Sequence, residues 1–264
     1  MSVSSSPSAA RSAAHINAPA HKAPSPHALV TGASERVGRA VARELARAGA
    51  HLYLHYRSNR AGAEETLRLI ETEGGSGELL CADLGSREAL RELTAEVLGR
   101  TARLDVLVNN ASRFEPAPFE ELSEGAWDEM IEVNLTAPML LTHALLPALK
   151  RAQGVVINLC DIGAERPLKG YTPYSVSKAG LVMLTRSLAV ELAPEIRCVG
   201  ISPGQVAWPP TMPQAERDML TRRIPMKRCG EPEDVARLAR FVWREGGYLN
   251  GAVIPVDGGL SCRY

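Results

Sequence analysis

The chain has no apolar run approaching the ~18 residues of a membrane-spanning helix, so an integral membrane protein is not expected. It has no net charge: thirty basic residues balance thirty acidic ones. A nucleic-acid or anionic-membrane partner calls for a basic excess, so neither is expected. No two cysteines form a CxxC pair, and the total of five is odd. Cys81, Cys160, Cys198, Cys229 and Cys262 therefore read as free thiols in a reducing compartment. The six histidines lack metal-ligand spacing, which argues against a metal site. The N-terminus lacks the apolar core of a secretory signal, and no internal repeat is visible. A soluble cytoplasmic protein is the expectation. Its 264 residues, 45% hydrophobic and 23% charged, fit one large globular domain.

Residues 1–27 are rich in Ser, Ala, Pro and His, with no hydrophobic periodicity. A disordered tail is expected there. It also lacks acidic residues, which leaves an organelle-targeting peptide as an alternative. From 28 to 264 short apolar runs alternate with amphipathic stretches. Strands are expected at 28–31, 51–56, 78–81, 106–109, 155–159, 197–201 and 253–256. Helices are expected between them, among them 37–48, 87–98, 127–150 and 174–192. Such alternation predicts a single-domain Rossmann α/β fold: a doubly wound parallel sheet of about seven strands, helices on both faces. The nearly unbroken apolar strands agree, since both faces of such a sheet are covered. Pro138 falls inside the third helical stretch and is expected to kink it.

The first strand runs into Thr31-Gly32-Ala33-Ser34-Glu35-Arg36-Val37-Gly38, and a helix follows at once. Glycines at such a turn let the backbone approach a pyrophosphate, which the helix N-terminus attracts. An ordinary glycine turn is the competing reading. An NAD-preferring site places an acid near the end of the second strand, for the ribose 2′-hydroxyl. This chain instead has His55-Tyr56-Arg57-Ser58, then Arg60. An acid would repel a 2′-phosphate, whereas Arg57 would bind it, so NADPH is the expected cofactor. Arg57 could also merely cap the strand end.

Tyr174-Ser175-Val176-Ser177-Lys178 has the YxxxK spacing, which puts Tyr174 and Lys178 on one helix face. Taken with the turn, with Asn109-Asn110-Ala111-Ser112, Asn134 in Asn134-Leu135-Thr136-Ala137-Pro138, Ser202-Pro203-Gly204 and Val256-Asp257-Gly258-Gly259, it resembles the short-chain dehydrogenases over nearly all of 28–264. The resemblance implies a nicotinamide-dependent reductase, commonly a homotetramer. It implies a cofactor site of Gly32, Arg36, Val37, His55, Tyr56, Arg57, Ser58, Asp83, Leu84, Asn110, Ala111, Ser112, Tyr174, Lys178, Pro203, Gly204 and Val206. Asp83 would receive the adenine amino group, although the residues alone also allow a helix cap. Asn134 would hold a relay water, and Lys178 would bond the nicotinamide ribose. A Lys178 ammonium near Tyr174 is expected to lower the phenol's pKa from its usual value near 10.

Two departures point to a narrower family. The family's catalytic serine, thirteen residues before the tyrosine, is here Asp161. A carboxylate donates only when protonated, so Asp161 suits a substrate bearing N–H or amino groups. An impaired site is the competing reading. Arg36 stands where the pattern TGxxxGxG has its middle glycine; it reads as a phosphate or substrate contact, or as a solvated surface arginine. With Phe114 after Ser112, these features resemble the pteridine reductases. That likeness implies a dihydropterin or dihydrofolate substrate held by Arg36, Ser112, Phe114, Asp161 and Tyr174, with Phe114 stacking on the ring. Phe114 could instead anchor its loop in the core. Trp208, in the segment where the family builds its substrate lid, is a candidate wall or a packing residue. A generic carbonyl or 3-oxoacyl-thioester reductase and a non-catalytic NADPH sensor are the alternatives.

Overall fold

The computed structural model describes residues 25–209 and 211–263. Seven strands form one parallel sheet: β1 (His27–Val30), β2 (His51–Tyr56), β3 (Ser76–Cys81), β4 (Val106–Asn109), β5 (Val155–Leu159), β6 (Arg197–Pro203) and β7 (Val253–Val256). Their order is β3-β2-β1-β4-β5-β6-β7. The chain runs outward from β1 in one direction and from β4 in the other. The switch point lies between those two strands, where doubly wound sheets bind ligands at their carboxyl ends.

Alternation along each strand feeds two separate cores. Val30, Leu54, Ile157 and Val199 meet Val41 and Leu45 of α1 (Arg36–Arg47), Ile70 of α2 (Arg60–Thr72) and Val235 and Val242 of α8 (Pro232–Arg244). Leu29, Tyr53, Leu107 and Val156 point the other way. They meet Leu93 and Val97 of α3 (Arg87–Arg100), Leu141 and Leu145 of α5 (Ala137–Ala152) and Ala189 of α6 (Thr172–Glu191). Each fully buried Leu or Val contributes about 1.5–3 kcal/mol, so the two layers account for the sheet's apolar composition. Side-chain caps start three helices: Asn59 accepts from Gly62 N, Ser86 from Ala89 N and Ser123 from Ala126 N.

The sequence expectations hold for the architecture and shift at its edges. β1 begins at His27, one residue inside the expected tail. His27 N donates to Asp105 Oδ2, and Pro26 O accepts from His51 N, so residues 26 and 27 are tied to the sheet. The rest of the tail, 1–24, lies outside the described residues. The expected helix 127–150 is three pieces: α4 (Glu124–Ile131), a π-helical turn (Glu132–Thr136) and α5. Pro138 lies within this continuous helical run, directly after the π-helical turn, so its missing N–H falls where the regular ladder is already interrupted. α7 (Gln214–Arg223) follows the segment after β6. Among the described residues no helix is long and apolar enough to cross a membrane.

Candidate active site

The turn after β1 is held from both sides. Thr31 Oγ1 accepts the N–H of Asn110 and of Ala111, while Asn110 Nδ2 donates to Thr31 O and Gly32 O. Gly32 adopts φ +66°, a left-handed backbone that favours glycine. A Cβ on Gly38 would lie 2.1 Å from Gly32 O, so the helix can approach the turn this closely only with glycine there. α1 starts without a side-chain cap and without an acid in its first turn. Its first amides are therefore available to an anion. Arg57 and Ser58 are exposed at the end of β2, and Arg60 is engaged with Glu64. This corner fits a dinucleotide: glycines where a Cβ would clash and free helix amides.

Other expected cofactor residues take up places around it. Asp83 is exposed and its Oδ1 accepts from Gly85 N; the cap of α3 is Ser86, so Asp83 is no helix cap. Leu84 and Tyr56 are buried, and Val37 is half-buried. Pro203 ends β6, Gly204 packs against Asp257, and Val206 bridges to Gly230. Arg36 sits at φ +50°, which explains why a glycine is usual at this place in the pattern. Its guanidinium reaches across the turn and donates to Val206 O at 3.3 Å and Ala207 O at 2.7 Å. It is thus neither free in solvent nor confined to the turn. His55 is buried behind Gly32 and does not face the dinucleotide corner as an exposed contact; its two ring nitrogens are both engaged.

Two residues beyond the end of β5, Asp161 caps a short 3-10 turn (Ile162–Ala164) and meets α6. Tyr174 Oη donates to Asp161 Oδ2 at 2.8 Å, and Gly163 N donates to Asp161 Oδ1 at 2.6 Å. Lys178, one turn on, is 3% exposed; its Nζ donates to Leu159 O at 2.8 Å and stands 5.7 Å from the Tyr174 ring centre. Burial pushes the Asp161 carboxyl up, against the Gly163 and Tyr174 bonds and Lys178. Burial also pushes the Tyr174 phenol up, and the charge and hydrogen bond of Asp161 add to it. Lys178 is pushed down by burial, against Cys160 and Asp161. The expectation that Lys178 lowers the tyrosine pKa is therefore corrected. With a carboxylate at hydrogen-bond distance, ionising Tyr174 would set two negative charges side by side, and the phenol keeps its proton.

Asn134 lies in the π-helical turn, and its amide is fully engaged. Its Oδ1 accepts from Arg113 N (2.8 Å) and Ser112 Oγ (3.2 Å); its Nδ2 donates to Arg113 O and Ser177 Oγ. The side chain thus fastens the loop after β4. Ser112 is tied to the same amide. That loop carries Phe114, 53% exposed. Phe114 is no core anchor: it stacks on Tyr171, 4.6 Å between ring centres, and meets Tyr174 edge-on at 4.7 Å. Trp208 is half-buried beside the segment that Arg36 holds. A cavity of about 540 Å³, lined by Gln205, Arg228, Asp234 and Asp257 among others, touches none of the catalytic residues.

Sequence reading passed over three participants: Thr31, Gly163 and Tyr171. Tyr171 carried a signal, since it stands three residues before Tyr174 and therefore one helical turn away. Gly163 carried none, because a backbone amide has no residue signature.

The parallel sheet, the glycine turn and the Tyr174–Lys178 pair define a nicotinamide-dependent oxidoreductase of the Rossmann type. Comparison with known proteins agrees. The family model described as enoyl-(acyl carrier protein) reductase matches residues 32–261. Glucose 1-dehydrogenase 2 of Bacillus subtilis is 34% identical over 243 residues, covering 89% of this chain and 94% of that one. The human (3R)-3-hydroxyacyl-CoA dehydrogenase is 37% identical over 247 residues, 88% of this chain and 94% of its own. A crystal structure described as a short-chain alcohol dehydrogenase from Sinorhizobium meliloti superposes with a TM-score of 0.85. It is 32% identical and covers 90% of this chain and 97% of that one. The chain belongs to the short-chain dehydrogenase/reductase family.

Proposed function

We propose that the chain is an NADPH-dependent reductase of dihydropterins or dihydrofolates, of the pteridine reductase kind. The observation that carries the reading is Asp161, hydrogen-bonded to Tyr174 beneath the exposed ring of Phe114. A flat heterocycle would lie along Phe114, whose far face is already backed by Tyr171. Bound NADPH supplies hydride to a ring carbon. The chain supplies the proton from a coupled acid pair. Tyr174 holds a proton on Oη, and Asp161, pushed toward protonation, replaces it as it leaves. Without that second proton the phenolate would stand beside a carboxylate. A protonated Asp161 can also bind a ring nitrogen, which a serine hydroxyl does less strongly. The Arg57–Ser58 corner supports NADPH over NADH.

A cytoplasmic homotetramer is part of the same proposal. Met139 of α5 and Val176, Met183 and Val190 of α6 are exposed apolar side chains on the two helices through which the family commonly assembles.

A broader reading has its own support: a short-chain reductase of carbonyl compounds or 3-oxoacyl thioesters. The relatives named above are a glucose and a hydroxyacyl-CoA dehydrogenase, and a further one, 34% identical, is a 3β-hydroxysteroid dehydrogenase of Eggerthella lenta. None of these is described as acting on a pterin, so the comparisons back the broader reading more directly. NADPH oxidation with dihydrobiopterin and dihydrofolate, set beside acetoacetyl thioester, separates the two. Turnover of the pterins is expected; turnover of the thioester alone would give the broader reading.

A further inference from the structure

His55 is one of the few polar side chains in the sheet, and it is 2% exposed. Its Nδ1 accepts the N–H of Gly32 at 3.1 Å, and its Nε2 lies 3.1 Å from Ala82 O. An amide only donates and a carbonyl only accepts, so these partners require the neutral ring with its proton on Nε2. The backbone of the same residue adds a third tie: His55 O accepts from Ala33 N at 2.9 Å. Two successive amides of the turn therefore face β2, not the ligand. On the other flank, Asn110 holds Gly32 O. Burial agrees with the tautomer. It lowers the imidazole pKa to about 4, although Ala82 O and the nearby Asp83 act in the opposite direction.

We propose that His55 is a positioning residue for the nicotinamide cofactor: its ring sets the spacing between the Gly32 turn and the Ala82–Asp83 corner before the cofactor arrives. The two corners belong to different strands, β1 and β3, with β2 between them. A dinucleotide spans them, so a fixed spacing removes part of the ordering it would otherwise impose. A rigid ring with an acceptor and a donor on separate edges bridges them; an amide side chain has both groups at one end and reaches only one partner at a time.

The inference rests on nicotinamide binding, which the family carries, and is independent of the pterin. It is tested without a second substrate, by NADPH fluorescence titration of three variants with intact far-ultraviolet circular dichroism. His55→Asn places a carbonyl oxygen near the Nδ1 position and keeps the Gly32 bond. His55→Gln reaches toward Ala82 and loses it, and His55→Phe fills the space with neither. Asn keeps only the Gly32 bond, Gln only the Ala82 bond and Phe neither, so none of them bridges the two corners, and all three are expected to bind NADPH about tenfold more weakly than the parent. Deuterium exchange in the peptide carrying Gly32 should rise in Gln and Phe but not in Asn. Affinity within about threefold of the parent in either amide variant would overturn the inference, since one bond would then suffice. If the Phe variant does not fold, the two amide variants decide alone.

Discussion

The two halves of the sheet treat buried polarity differently. Around β1, β2 and β4 the polar groups of the cofactor turn are joined to one another: Thr31, Gly32, Ala33, His55 and Asn110 close a set of bonds in which each donor meets a neutral acceptor. Around the end of β5 the buried groups are ionisable, and burial shifts all three of Asp161, Tyr174 and Lys178 toward their uncharged forms. One half fixes distances; the other tunes proton affinity. A geometry built on neutral bonds tolerates little change in shape. A proton-holding pair tolerates little change in charge.

That contrast breaks most visibly at Tyr174. Tyr174→Phe keeps the ring packed on Phe114 and removes the acid, so turnover should fall by about 10³-fold with cofactor affinity unchanged. Stopped-flow hydride transfer beside an NADPH titration measures both. An unchanged rate would remove Tyr174 from the chemistry. Asp161→Asn comes next. Pterin turnover should drop on the order of 100-fold, because an amide has no proton to pass on, and the variant should lose the parent's fall in melting temperature with rising pH. The sign follows from the raised pKa: the fold holds the Asp161 proton more tightly than the unfolded chain does, so this stabilisation is present at low pH and lost as pH rises through the folded-state pKa. A variant that keeps the parent's pH slope would contradict this account.

On the cofactor side, stability should depend on pH through His55. Its folded pKa, about 4, lies below the unfolded value of 6.5. The unfolded chain therefore binds a proton that the fold refuses. Stability is full above pH 6.5 and falls as pH drops from there toward 4, by about 3 kcal/mol in all. Denaturant melts of parent and His55→Asn across that range isolate the effect from His27 and His51, whose pKa values burial also lowers. Parallel curves would show that His55 does not carry the slope. Arg57→Glu should weaken NADPH by roughly 10-fold to 100-fold and leave NADH nearly unchanged. The smallest effect is expected at Arg36. Arg36→Gly relieves a left-handed backbone worth about 1 kcal/mol and loses two carbonyl bonds to the segment after β6. Its melting temperature should hardly move while the substrate KM rises.

Much of this was legible in the residues. Apolar runs located all seven strands because a doubly covered strand must be apolar throughout. The i, i+4 spacing of Tyr174 and Lys178 survived because both lie on α6, and the interval to Asp161 because the connection from β5 folds back through the turn that Asp161 caps, setting its carboxyl against Tyr174. Contacts between distant segments were not legible. Nothing near His55 announces Gly32, 23 residues away, and nothing near Arg36 announces Ala207, 171 residues away. The Tyr174 pKa was misjudged for a related reason. YxxxK names the cation that would lower it, whereas the sign is decided by burial and by a carboxylate from another strand.

The π-helical turn at Glu132–Thr136 has a consequence of its own. A π turn amounts to one residue added to a helix, and each residue of an α-helix advances the screw by about 100°. The added residue sets the phase between α4 and α5. Remove one residue there, and α5 would present the wrong stripe to the sheet, turning Leu141 and Leu145 away from their layer. Asn134 would leave the loop that bears Phe114 at the same stroke. The turn therefore acts as a clutch between the substrate loop and the core: sixteen residues of α5 depend for their rotational setting on a single inserted one.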